Sequence, residues 1–281
     1  MPIDAQRCRA VLSKLDRDLV KLGSKLSAKS VHGFRTDTRR VQILLAELSP
    51  KLDRSGRKLL KLLNGIRKRA GKLRDLDVQL TALRNLKVPR EPRRKTQLVN
   101  HLIELRARQE KKLSKSTEDC TIREIRKRLK RAAKRFKPES AHDPLSAAKS
   151  MIEHFHGSSA PLNEELLHEY RILSKRARYA AEFSAPAESA AAFIEEIKRV
   201  QDALGDWHDW LTLTQSAREY LGELHESPLV AELHNVTGAK YRHAVAMLSQ
   251  LRGNQTSHAK PLVPKSTPSS GKNRQQGITA A

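Results

Sequence analysis

The sequence has 281 residues, with 55 Lys and Arg against 31 Asp and Glu and a formal charge of +24. Apolar residues make up 38% of it and aromatics only 4%. That is enough to bury a core and too apolar for wholesale disorder, while no apolar run reaches the roughly 18 residues of a membrane-spanning helix. The two cysteines, Cys8 and Cys120, exclude a disulfide scaffold and a Cys-based zinc cluster. No apolar run of a secretory signal follows the N-terminus. The expectation is a cytoplasmic protein, away from membranes, with a strongly negative partner.

In chain order, Val11, Leu15, Leu19 and Leu22 form one stripe and predict a helix over 4–22. Further helices are expected over 31–48, 51–70, 72–87 and 93–115. Over 118–137, Ile122, Ile125, Leu129, Ala132 and Phe136 line one face and Arg and Lys cover the rest. The pattern continues over 143–156, 163–184, 187–204, 206–224 and 228–252. Pro and Gly punctuate the boundaries, and strand-like alternation is absent. The fold class is therefore all-α. Residues 254–281 read as a disordered polar tail with no acid and only Lys260, Lys265, Lys272 and Arg274 as permanent charges. The charge excess therefore sits on the folded body, residues 1–253, where self-repulsion costs stability.

An internal repeat organises that body. The segment VHGFRTDTRRV (31–41) aligns without gaps to LHEYRILSKRA (167–177), and GKLRDLDV (71–78) aligns to GDWHDWLT (205–212). The offsets, 136 and 134 residues, are nearly equal. The reading is of two related helical bundles, about 1–115 and 140–253, joined by helix 118–137 and related by a pseudo-twofold axis that brings equivalent faces together.

At about 100° per residue, His168, Arg171, Lys175 and Arg178 fall on one strip less than a quarter of the helix circumference wide. His32, Arg35 and Arg39 fall on the matching strip, with Gln42 where Arg178 would stand. Arg40 and Arg176 lie on the other flank. Crowding cations at these spacings destabilises an isolated helix, so a bound anion would offset the cost; a solvated basic face is the bland alternative. His32 and His168 head the strips and are able to donate hydrogen bonds to an anion, which would favour their charged form. No metal-ligand spacing is present. Gly71 and Gly205 read as helix stops. Asp75 and Asp209 are expected as structural support, in the first turn of the next helix or orienting an Arg of the strip.

The two His-aromatic-Arg blocks, each followed by a Gly-x-x-x-Asp block, resemble the CHAD family, the conserved histidine α-helical domain. The resemblance covers about residues 4–253. It implies two pseudo-twofold-related bundles around a basic central cavity or groove, binding of inorganic polyphosphate, and association with polyphosphate granules. The inward wall would comprise His32, Arg35, Arg39 and Arg40 with His168, Arg171, Lys175, Arg176 and Arg178. Arg74 and His208 occupy equivalent places in the second blocks and would add to it. Gln42 and His208 depart from the family pattern.

The ligand's chemistry fits independently. Polyphosphate offers only charged oxygens, which suit Arg and Lys and require no aromatic platform. Single-stranded nucleic-acid binders instead interleave cations with stacking aromatics. Here Trp207 and Trp210 sit beside Leu204, Leu211 and Leu213, a core setting. A nucleic-acid-binding helical protein, using the basic helix 118–137, is the alternative, and weak non-specific nucleic-acid binding is compatible with the charge. An enzyme is not expected. Residues Gly65 to Lys72 have one residue too many for a phosphate loop and no hydroxyl after the Lys. Neither a catalytic carboxylate set nor a cofactor motif can be assembled.

Overall fold

The computed structural model describes residues 1–48, 52–88, 91–136, 143–156, 161–222 and 227–256. Residues 257–281 of the expected tail lie outside the described residues. Among the described residues all regular structure is helical: α1 (Ala5–Ser24), α2 (Ala28–Ala46), α3 (Arg54–Asn85), α4 (Pro92–Ser116), α5 (Asp119–Arg135), α6 (Pro144–His156), α7 (Glu164–Ala181), α8 (Glu188–Leu221) and α9 (Pro228–Thr256). None of the described helices is long and apolar enough to cross a membrane.

Side-chain caps start several of these helices. The Asp4 carboxylate accepts from Arg7 N at 2.9 Å, Asp53 from Gly56 N at 2.6 Å and Asn163 from Leu166 N at 2.9 Å. Ser27 and Ser30 form a reciprocal capping box that starts α2 three residues before the expected Val31. Pro92 occupies the first turn of α4, where its missing N–H costs nothing.

The glycine reading was wrong. Gly71 and Gly205 do not stop helices; they lie inside α3 and α8, of 32 and 34 residues. Glycine costs a helix interior only about 1 kcal/mol. Buried apolar residues continue across both positions, Ala70 and Leu73 in α3 and Leu204 and Trp207 in α8. Tertiary packing therefore overrides the weak local signal. Asp75 and Asp209 are consequently mid-helix, away from any helix N-terminus.

Helices α1 to α4 pack neighbour on neighbour, and α6 to α9 do the same. Contacts of α2 with α7 and of α3 with α8 join the two runs. Helix α5 lies chiefly against α1 and α3. One large core draws on both runs, with Leu12, Phe34, Leu63, Tyr170, Phe183 and Trp207 among its fully buried members. A second, smaller cluster joins the far ends of α3 and α8 to α4 and α9 through Leu80, Leu83, Leu98, Leu213 and Leu229. The N-terminal residues are pinned across the molecule: Asp4 N donates to Phe183 O at 2.8 Å and Ala185 N to Pro2 O at 2.9 Å.

Candidate functional site

Helices α2, α3, α7 and α8 surround a cavity of about 690 Å³. The apolar residues Val31, Phe34 and Val41 of α2, and Leu167, Tyr170 and Ala177 of α7, are buried in the core. The helical period then turns the cationic strips of both helices to the cavity. Helix α2 contributes His32, Arg35, Arg39 and Arg40, and α7 contributes Arg171, Lys175 and Arg178. Arg74 enters from α3 and Lys14 from α1. Eight Lys and Arg line the cavity against four aspartates. The aspartates are Asp75 of α3 and Asp202, Asp206 and Asp209 of α8.

Part of this charge is internally paired. Arg35 donates to Gly71 O at 2.9 Å and to Asp75 at 3.3 Å, so α3 fixes its guanidinium. A Cβ on Gly71 would meet that guanidinium in ordinary van der Waals contact, 3.7 Å from Nη1. Arg40 donates to Glu182 at 2.7 Å and to buried Asp37 at 2.8 Å. Burial opposes its charge, but these carboxylates win and hold its pKa above the ordinary value. Asp37 also pairs with Lys14 at 2.9 Å. Burial works against the Asp37 charge, yet the hydrogen bonds from Lys14, Asp18 and Arg40 keep its carboxyl below the usual range. Asp18, buried beside it, is pushed up, by burial first and then by Asp37.

Three cations remain crowded at the centre. Arg39, Arg171 and Lys175 have no carboxylate within ion-pair distance among the described residues. Burial first, and then neighbouring guanidinium groups, depress all three pKa values: Arg35 acts on Arg39, and Arg39 and Arg35 act on Arg171. Lys175 is pushed down to about 7, by burial first and then by Arg171 and Arg39. The buried Nε of Arg171 has no protein acceptor. Tyr179 lies under the guanidinium of Arg178, which sits 4.9 Å from the centre of its ring. A smaller cavity of about 270 Å³ opens on the other side of Arg39, Arg171, Lys175 and Tyr179, which line both.

Three expected wall residues lie outside the main cavity. Arg176 faces the smaller one and pairs with Glu47 at 2.8 Å. His168 is exposed and its ring lies 5.4 Å from that of His208. His208 is turned against Trp207, and burial, then Arg171, lowers its pKa to about 4, so it is neutral at pH 7. His32 does line the main cavity; burial, then Arg74 and Arg35, lowers its pKa. The two flanking arginines make a reciprocal exchange. Arg40 of α2 reaches Glu182 at the end of α7, and Arg176 of α7 reaches Glu47 at the end of α2. Asp75 orients Arg35 as the second of its two expected roles has it. Asp209 is close enough to Arg171 to act on its charge, and burial raises the Asp209 pKa.

Sequence reasoning missed Lys14, Tyr179 and Arg67. Arg67 lines the smaller cavity, and its buried Nε has no acceptor, although Nη2 donates to Asn64 at 2.6 Å. Its signal was available once α3 is one helix: Arg67, Arg74 and Val78 share one stripe. Trp210, expected in the core, is half-buried and borders a separate cavity beside the cationic one.

The family model described as the CHAD domain matches residues 5–218. The chain belongs to the CHAD family. Its fold is similar to that of PptA from Streptomyces chartreusis, at a TM-score of 0.65 and 15% identity, covering 92% of this chain and 100% of that one. It is also similar to the CHAD domain from the plant Ricinus communis, at a TM-score of 0.59 and 17% identity, covering 92% of this chain and 94% of that one. Among curated proteins none matches significantly. In this CHAD domain the α2 and α7 strips thus line the main cavity together with acidic residues of α8.

Proposed function

We propose that this protein binds inorganic polyphosphate, without catalysis, along the α2 and α7 wall of the cavity, and that it associates with polyphosphate granules. The observation that carries the reading is the central trio Arg39, Arg171 and Lys175: three half-buried cations from two helices, without carboxylate ion pairs among the described residues, whose pKa values burial and neighbouring guanidinium groups depress. A neighbouring polyanion removes that repulsion, and arginine binds phosphate oxygens in a forked, directional manner. His32 and Arg35 extend the wall on one side, Arg178 on the other. Family membership supports the same ligand class, through the resemblance stated above.

Two related bundles are part of this proposal. The like packing order of α1 to α4 and α6 to α9 favours duplication, as does the exchange of Arg40–Glu182 for Arg176–Glu47. The nucleic-acid alternative draws less support. Tyr179 lies under Arg178 and Trp207 is buried in the core, so neither is a free stacking platform in the main cavity; the half-buried Trp210 borders the neighbouring cavity instead.

Competition tests the proposal. Immobilised polyphosphate is expected to retain the protein, free polyphosphate to release it, and RNA at equal phosphate concentration to release it far less. Equal or better release by RNA would overturn the reading. Affinity should also fall steeply with salt, as it does when polyanions shed counterions.

A further inference from the structure

Beside the cationic cavity lies a second one of about 490 Å³, sharing Arg74, Val78, Asp206 and Asp209 with it. The rest of its lining is of a different character: Trp210, Ala82, Leu86 and Val236 are apolar, joined by Thr81, Asn85 and a single cation, Lys87. An inorganic phosphate chain has no surface to place against an indole, and carboxylates repel it. Neither feature is explained by the function proposed above. We infer that the annex receives the base of a nucleoside polyphosphate whose phosphates lie in the cationic cavity.

The inference rests on the phosphate-binding reading of that cavity and extends it to a second ligand class. The volume falls within the ~300–1,000 Å³ of small-molecule sites. Trp210 offers a half-buried aromatic face, held in place by the second hydrophobic cluster. Asp206 and Asp209, which would oppose a phosphate, are acceptors suited to the amino groups of a purine or to ribose hydroxyls. Asp206 keeps one oxygen engaged with Lys240 at 2.9 Å, which holds the carboxylate at the rim. Arg74, common to both cavities, stands where the sugar would give way to the first phosphate. Further phosphates would then run toward Arg35 and His32.

The test compares ATP and GTP with inorganic tripolyphosphate, by calorimetry and by tryptophan fluorescence. Trp207 is 1% exposed, and the sequence has two tryptophans, so quenching by a stacked base reports on Trp210. ATP or GTP is expected to bind roughly tenfold more tightly than tripolyphosphate and to quench, whereas tripolyphosphate leaves the emission unchanged. Trp210→Leu should reduce ATP affinity to that of tripolyphosphate while long-chain polyphosphate still binds as before. Thr81→Phe, on the exposed side of α3, fills the annex without touching the core and should have the same effect. Equal affinities and no quenching, with long-chain polyphosphate bound normally, would overturn this inference alone. Failure of every phosphate compound to bind would overturn the parent reading with it.

Discussion

Two regions of this molecule are equally basic in sequence and opposite in structure. In α5, three of the five arginines meet carboxylates: Arg126 makes two bonds to Asp16, at 2.9 and 3.0 Å, Arg128 reaches Glu124 at 2.7 Å, and Arg135 reaches Asp53 at 2.7 Å. The pairs of Arg126 and Arg135 fasten α5 to α1 and to the cap of α3. On the α2 and α7 wall, Arg39, Arg171 and Lys175 lack carboxylate ion pairs among the described residues, and burial together with neighbouring guanidinium groups depresses their pKa values. Charge density by itself does not mark a binding surface. The proposed function rests instead on cations that lack carboxylate ion pairs among the described residues.

That contrast can be broken experimentally. The largest expected effect on folding is at Glu182, the buried carboxylate holding Arg40 at 2.7 Å with Arg178 at 3.7 Å. Glu182→Leu leaves buried guanidinium groups short of counter-charge and is expected to cost about 3 kcal/mol in urea unfolding. Saturating polyphosphate should restore part of it, because binding to the folded state alone stabilises it. No loss of stability would show the wall to be less strained than described.

Lys175 comes next. Its folded pKa near 7 lies below the ordinary 10.5, so between those values the unfolded chain holds more protons. Stability of the empty protein should therefore rise as pH increases from 7 to 10.5, and Lys175→Met should flatten that slope. A bound polyanion raises the same pKa, so binding at pH 8 should take up protons, and affinity should fall as pH climbs above 7. Calorimetry in buffers of different ionisation enthalpy measures the uptake. The smallest effect belongs to α5: Ala at Lys127, Lys130, Arg131 and Lys134 together should weaken polyphosphate binding only about two- to threefold, through long-range attraction. A loss as large as that of the wall variant below would place the binding surface on α5 instead.

The helical class and the cationic strips were legible because periodicity and charge are written residue by residue. His32, Arg35, Arg39, Arg171, Lys175 and Arg178 share a strip in sequence and a wall in space. What escaped depends on partners elsewhere in the chain. Treating Gly71 and Gly205 as breaks cut α3 and α8 in two and hid the stripe from Arg67 through Arg74. Nothing near Arg176 announces Glu47, 129 residues away, and nothing local turns His208 toward Trp207. The acidic residues of α8 also went unread as cavity lining. Asp202 and Asp206 look like ordinary surface charge until α8 is packed against α7, and Asp209 reads from sequence only as structural support. Trp210 sits in an apolar stretch that reads as core, and its exposed edge exists only because the cavity beside it does.

The most direct measurement is a calorimetric titration of long-chain polyphosphate into the protein and into the variant with Ala at Arg35, Arg39, Arg171 and Lys175, at one salt concentration. Helical content, followed by circular dichroism, should be unchanged in the variant. The wall account predicts micromolar or tighter binding by the protein and a loss of at least a hundredfold in the variant. Binding within about threefold of the parent, by a variant that keeps its helical content, would contradict it.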